Sequence, residues 1–144
     1  GVEKGINEKE CREFFAFAEE NLVKKITGSF LKFGDQLYRM PEGMPSIRNL
    51  KVLRPGLHLG TLKKNRFEPS HALALALRPD QVKHVCSLES DSPEIKAYLN
   101  GQTLNMDGEK GWYLVTVDGY SIGWGKLAGG ILKNHYPKGL RKNG

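Results

Sequence analysis

Residues 112–125 read WYLVTVDGYSIGWG, and this stretch decides how the second half of the chain folds. Asp118-Gly119 stands between two apolar runs, and both residues tolerate the positive φ that a two-residue type I′ turn requires. The spacing predicts a hairpin in which Val117 faces Tyr120, Val115 faces Ile122 and Tyr113 faces Trp124, all six on the core face. On the opposite face Leu114 is expected across from Gly123, and Trp112 across from Gly125. Bare glycines there leave room for another backbone or for a ligand.

Downstream the chain continues as GWGKLAGGILKNHYPKGLR over residues 123–141. Lys126, Lys133, Lys138 and Arg141 lie in it, with His135 between them and no carboxylate. Trp124, Leu127, Ile131, Leu132 and Leu140 are apolar anchors for which a solvated tail has no use. The stretch therefore reads as the last strand pair and closing loop of a small barrel. Lysine and arginine supply phosphate affinity, while His135 and Tyr136 offer rings on which unpaired bases stack. Asn134 suits a base edge or a 2′-hydroxyl. Packing of Tyr136 onto the sheet stays an equal alternative, and Trp124 suits the core better than a platform. A second acid-free run, from Arg48 to Phe67, carries Arg48, Lys51, Arg54, Lys63, Lys64 and Arg66. Blocks of one sign raise a local potential that concentrates polyanions.

Upstream the pattern alternates helix and strand. Asn7 and Glu10 fit a capping box for a helix to about Asn21, with Cys11, Phe14, Phe15, Ala18 and Leu22 at helical spacing. SFLKF and QLYRM, split by Gly34-Asp35, predict a hairpin. PEGMPSIRN is a loop, and KVLRPG and LHLGTLKK are short strands broken at Pro55-Gly56. HALALAL after Ser70 is made of strong helix formers and reads as a short buried helix. SLESDSP, residues 87–93, is the best internal boundary. Pro93 then opens a helix closed by Asn100-Gly101.

Composition narrows the function classes. The chain has 144 residues, 39% of them hydrophobic and 26% charged, which suits a folded rather than a disordered protein. The formal net charge of +6 favours anionic partners. No apolar run is long enough for a membrane span, and no signal peptide stands at the start. Cys11 and Cys86 are expected as reduced thiols, and the Gly1-Val2 start suggests a piece of a longer protein. No phosphate-binding loop or dinucleotide fingerprint occurs. The four histidines are dispersed, so no metal site is expected. A small enzyme would need a pocket joining His71, His84 and Cys86, which the spacing does not bring together.

RFEPSHALALAL, residues 66–77, and GWYLVTVDGYSIGWGKLAGGILKNHYPKGLR, residues 111–141, resemble the C-terminal region of bacterial ribosomal RNA cytosine-C5 methyltransferases of the Sun (Fmu) family. The resemblance covers about a third of the chain. It places Arg66, Glu68, His71, Trp124, Gly125, Lys126, Lys133, Asn134, His135, Tyr136, Lys138 and Arg141 at motif positions. It implies an α+β fold, with an accessory helix-and-strand subdomain over 1–86 and a PUA-like β-barrel with short helices over 87–144. It further implies a cytoplasmic, monomeric RNA-binding region that positions ribosomal RNA, expected to be of the small subunit. The partner would be an S-adenosylmethionine-dependent methyltransferase domain in the same parent chain; this stretch itself would need neither cofactor nor catalytic residue. The residues expected at RNA are Lys63, Lys64, Arg66, Lys126, Lys133, Asn134, His135, Tyr136, Lys138 and Arg141. The rival reading is a docking module that packs on the catalytic domain with little RNA contact of its own.

Overall fold

The structure, a computed structural model, describes residues 8–40 and 56–141. Asn7 of the expected capping box, the loop over 41–49, and Arg48, Lys51 and Arg54 lie outside the described residues. The chain divides into two compact units, Gly1–Leu73 and Ala74–Gly144.

In the first unit a 3₁₀ turn, Glu8–Cys11, leads into helix α1, Arg12–Asn21. Phe14, Phe17, Ala18 and Asn21 form its buried stripe. Asn21 is tolerated there because its amide donates to Phe17 O at 2.9 Å. Four strands follow: β1 Ser29–Phe33, β2 Gln36–Met40, β3 Leu57–Lys63 and β4 Arg66–Pro69. They form an antiparallel sheet in chain order. The β1–β2 hairpin turns at Gly34-Asp35 as the sequence predicts. Strand β4 was not expected. It forms because Asn65 adopts φ 60° and lets Lys64-Asn65 close a tight turn, a conformation asparagine tolerates better than most residues. Phe14 and Phe17 of α1 meet Phe67 of β4 at ring separations of 5.1 and 5.2 Å, so aromatic burial fastens helix to sheet.

Ser70 then accepts from Leu73 N at 3.0 Å and so caps helix α2, His71–Ala76. The expected helix exists, but only one side is buried. Leu73 and Ala74 are inside, whereas Leu75 is 56% exposed.

The second unit is built from β5 Val85–Leu88, helix α3 Pro93–Leu99, β6 Leu104–Asn105, β7 Gly111–Val117, β8 Tyr120–Ala128 and β9 Ile131–Asn134. The strands lie in the order β5-β7-β8-β9-β6, and β5 runs parallel to β7. The expected boundary at 86/87 thus falls inside a strand of this sheet. Ser92 caps α3 by accepting from Ile95 N at 3.2 Å, with Pro93 in the first turn. Gly101, at φ 88°, follows the helix end. Cys86, Ile95, Tyr98, Leu104, Tyr113, Val115, Leu127 and Leu132 form the core between α3 and the sheet. Cys11 and Cys86 are both buried, and neither is in a disulfide.

The β7–β8 hairpin turns at Asp118-Gly119, as predicted, but its register needs correction. Val117 pairs with Tyr120, then the ladder shifts, so that Val115 faces Gly123, Tyr113 faces Gly125, Leu114 faces Trp124 and Trp112 faces Lys126. One extra residue on β8 forms a β-bulge and exchanges the faces of everything beyond it. Every residue from Trp112 to Thr116 is buried. Both faces of β7 are therefore apolar or covered, and alternation cannot fix the register.

Candidate nucleic-acid interface

The bulge determines which side chains share a surface. Cross-strand pairs place Trp112 beside Lys126, and Lys126 beside Lys133. Trp124, two residues before Lys126, lies on the same face. His135 continues that row, its amide donating to Trp124 O at 3.2 Å. The Lys126 ammonium sits 5.2 Å from the centre of the Trp112 ring, within the range of a cation–π contact worth about 0.5–1 kcal/mol at an exposed site. The His135 ring meets Trp112 edge to face at 4.6 Å, and Trp112 meets Trp124 likewise at 6.2 Å.

The tryptophans are buried, Lys126 and His135 are half-buried, and Lys133 is exposed. The surface is a basic layer over an aromatic floor. Like charges directly opposite one another destabilise a sheet, yet among the described residues neither Lys126 nor Lys133 forms an ion pair. An anion placed between them relieves that repulsion.

Asn134, Tyr136 and Arg141 lie elsewhere and are held by structural bonds. The Asn134 amide donates to Tyr98 O at 2.8 Å and to Gln102 O at 3.0 Å, while its oxygen accepts from Tyr136 N at 2.8 Å. The half-buried Tyr136 ring packs 5.3 Å from that of Tyr98. Arg141 Nε donates to Tyr136 O at 3.1 Å, and its side chain lies over Gly101, where a Cβ would come within 2.6 Å of Cδ. These residues latch the end of the chain onto α3. Lys138 is exposed in the 3₁₀ turn Lys138–Leu140.

In the first unit Lys63, Lys64 and Arg66 flank the β3–β4 turn, with Lys63 3.7 Å from the Glu68 carboxylate. Trp112 was not among the expected site residues. Its signal becomes visible only when the bulge is counted, because that step moves its partner from Gly125 to Lys126.

The hairpin glycines do not open a groove. A Cβ on Gly123 would overlap the Tyr98 hydroxyl, and one on Gly125 would lie 2.7 Å from Leu132 Cγ. Tyr98 uses that space to donate from its hydroxyl to Trp124 O at 2.9 Å. Burial, first of all, raises its phenol pKa far above the ordinary value, so it stays a donor. Burial likewise raises the Cys86 thiol, the opposite of what a nucleophile needs. His84 stacks on Tyr113 at 4.8 Å and approaches the Glu109 carboxylate at 3.4 Å. Among the described residues no group of three His, Cys, Asp or Glu is placed to hold a metal, and no helix is long and apolar enough to cross a membrane.

Two family models match the chain. Residues 16–77 match the RsmF rRNA methyltransferase first C-terminal domain, and residues 86–142 match the methyltransferase RsmF PUA domain. The α+β fold, with its curled five-stranded sheet and short helices, agrees with the PUA-like architecture. Such a methyltransferase family implies S-adenosylmethionine as methyl donor, but the described residues do not fit that group. The glycines of GWGKLAGG are filled by Tyr98 and Leu132 or turn the β8–β9 hairpin, where Gly129 and Gly130 have φ 58° and 79°.

Proposed function

This chain belongs to the RsmF rRNA methyltransferase family, as its two consecutive C-terminal domains, and from that premise we propose that its second sheet binds ribosomal RNA. The bound RNA is presented to the S-adenosylmethionine-dependent cytosine-C5 methyltransferase domain of the parent protein, in the cytoplasm. The observation that carries this reading is the opposed pair Lys126 and Lys133, with Lys126 held over Trp112 and neither lysine in an ion pair among the described residues.

Lys126 and Lys133 take neighbouring phosphates, and His135 offers the edge of its ring to sugar or base. Trp112 fixes Lys126 rather than leaving it to sweep solvent, which lowers the entropy lost on binding. Lys138 extends the cationic track beyond the latch. Asn134, Tyr136 and Arg141 serve by holding β9 and the closing turn in register with α3. Lys63, Lys64 and Arg66 supply a further phosphate contact from the first unit.

Anisotropy of labelled small-subunit ribosomal RNA hairpins, titrated with the chain across a salt series, tests this. The expected result is binding that prefers structured RNA over DNA duplex and weakens by about 0.7–0.9 in log affinity per log unit of salt for each phosphate held. Weak, salt-insensitive binding would instead favour the docking module.

A further inference from the structure

The sheet of the first unit has a second face, turned away from α1, of which the proposed function uses only the cations at the β3–β4 turn and none of the rings. The register places Leu31, Tyr38 and His58 in one cross-strand row, then Phe33, Gln36, Thr61 and Glu68 in the next, with Lys63 and Arg66 beyond. The Leu31 end of this face is closed, since Leu31 and Met40 are buried together. The other end is open: Phe33 is 37% exposed, and Tyr38, His58, Gln36 and Thr61 are half-buried.

Three rings run in sequence across three strands. Phe33 meets Tyr38 edge-on at 5.6 Å, and Tyr38 lies 4.8 Å from His58 at an interplanar angle of 31°. Hydrogen bonds hold the last of them. Gln36 Nε2 donates to the Asp35 carboxylate at 2.9 Å, so the amide oxygen points the other way. That oxygen accepts from His58 Nε2 at 2.7 Å and from the Thr61 hydroxyl at 3.2 Å. Burial keeps the His58 imidazole below its ordinary pKa, with the Gly60 backbone partly opposing, which favours the neutral ring that lies against Tyr38.

A solvated sheet face is ordinarily lined by threonine and charged side chains. Contiguous rings fixed in place, with amide and hydroxyl groups beside them and cations at one end, match the chemistry of unpaired nucleobases. Bases stack on aromatic faces whatever their identity, and a four-stranded sheet carrying such rings takes two or three of them. Lys64 and Arg66 are exposed at the β3–β4 turn, where the phosphates of a strand crossing the rings would pass.

We propose that Phe33, Tyr38 and His58 form a base-stacking platform for a short single-stranded segment of RNA, with Lys64 and Arg66 holding its backbone. The platform is a second RNA contact, separate from the Lys126–Lys133 face and not dependent on it.

The test titrates the full chain with fluorescein-labelled oligouridylate and oligoadenylate at low salt. Phe33→Ala is expected to weaken binding about five- to a hundredfold while thermal unfolding stays near that of the parent, because the side chain is more than one-third exposed. Tyr38→Ala is expected to weaken it similarly, and Tyr38→Phe to restore it, since stacking needs the ring and not the hydroxyl. The platform is overturned if the parent chain binds neither oligonucleotide, or if folded Phe33→Ala binds both as tightly as the parent.

Ribosomal RNA hairpins in the same assay separate the two sites. Hairpin binding that responds to Lys126→Ala/Lys133→Ala, with no oligonucleotide binding, overturns the platform and keeps the face reading. Oligonucleotide binding lost in Phe33→Ala, with hairpins indifferent to the two lysines, supports the platform and removes the face.

Discussion

In the first sheet the buried face meets α1 through Phe30 and Phe67, with Leu37 and Leu59 beside them. In the second it meets α3 through Tyr113, Val115, Leu127 and Leu132. The opposite faces diverge. The first sheet leaves Phe33, Tyr38 and His58 at or near solvent. The second buries Trp112 and Trp124 and sets Lys126 and Lys133 above or beside them. The same aromatic chemistry thus has two uses, exposed as a surface in one sheet and buried as the floor that orients a cation in the other.

The largest expected effect concerns how closely each sheet approaches its neighbours. At Gly60 φ is 154°, and a Cβ would overlap the backbone oxygen of Glu68; at Gly123 it would overlap only the hydroxyl end of Tyr98. Backbone cannot step aside as a side chain can. Gly60→Ala should cost about 3 kcal/mol or more from strain and overpacking together, and Gly123→Ala about 1–3 kcal/mol, both read by denaturant unfolding. A larger loss at Gly123 would invert the comparison.

Tyr98→Phe removes one of the two donors to Trp124 O, the His135 amide remaining, and should cost about 0.5–1.5 kcal/mol, the net worth of a single hydrogen bond. A neutral result would mean that water takes the hydroxyl's place. In binding, Lys126→Ala/Lys133→Ala should reduce the salt slope by about 1.4–1.8 for two phosphate contacts, and Lys64→Ala/Arg66→Ala by no more. Equal slopes for parent and Lys126/Lys133 variant would remove those lysines from the interface.

The smallest effect is in pH. Burial lowers the pKa of His58 and His71 from 6.5. The unfolded chain therefore binds protons more readily than the folded one as pH falls below about 6.5, and stability should decline there. Both histidines lie in the first unit. Amide exchange should show protection lost earlier in β1–β4 than in β7–β9 on mild acidification, and uniform loss would contradict this assignment.

Much of this organisation is legible from residues alone. Asp118-Gly119 announces its turn because few residue pairs accept that backbone, and the acid-free run from Lys126 to Arg141 announces its charge. The β7–β8 register is not legible, because β7 is apolar on both faces and no residue type marks the bulge. Strand β4 is hidden for a related reason: four residues ending in Pro69 read as loop until Asn65 is given its left-handed conformation. Asn134 shows the limit of reading chemistry from residue type. Its amide suits a base edge, and its geometry serves Tyr98, Gln102 and Tyr136.

The central claim, that the second sheet carries the RNA on its lysine-bearing face, is tested most directly by photocrosslinking. A small-subunit ribosomal RNA hairpin carrying 4-thiouridine would be bound to the chain and irradiated, and the attached peptides mapped by mass spectrometry. The account predicts crosslinks at Trp112, Lys126, Lys133 or His135, lost in Lys126→Ala/Lys133→Ala. Efficient crosslinking with none of these positions labelled would contradict it.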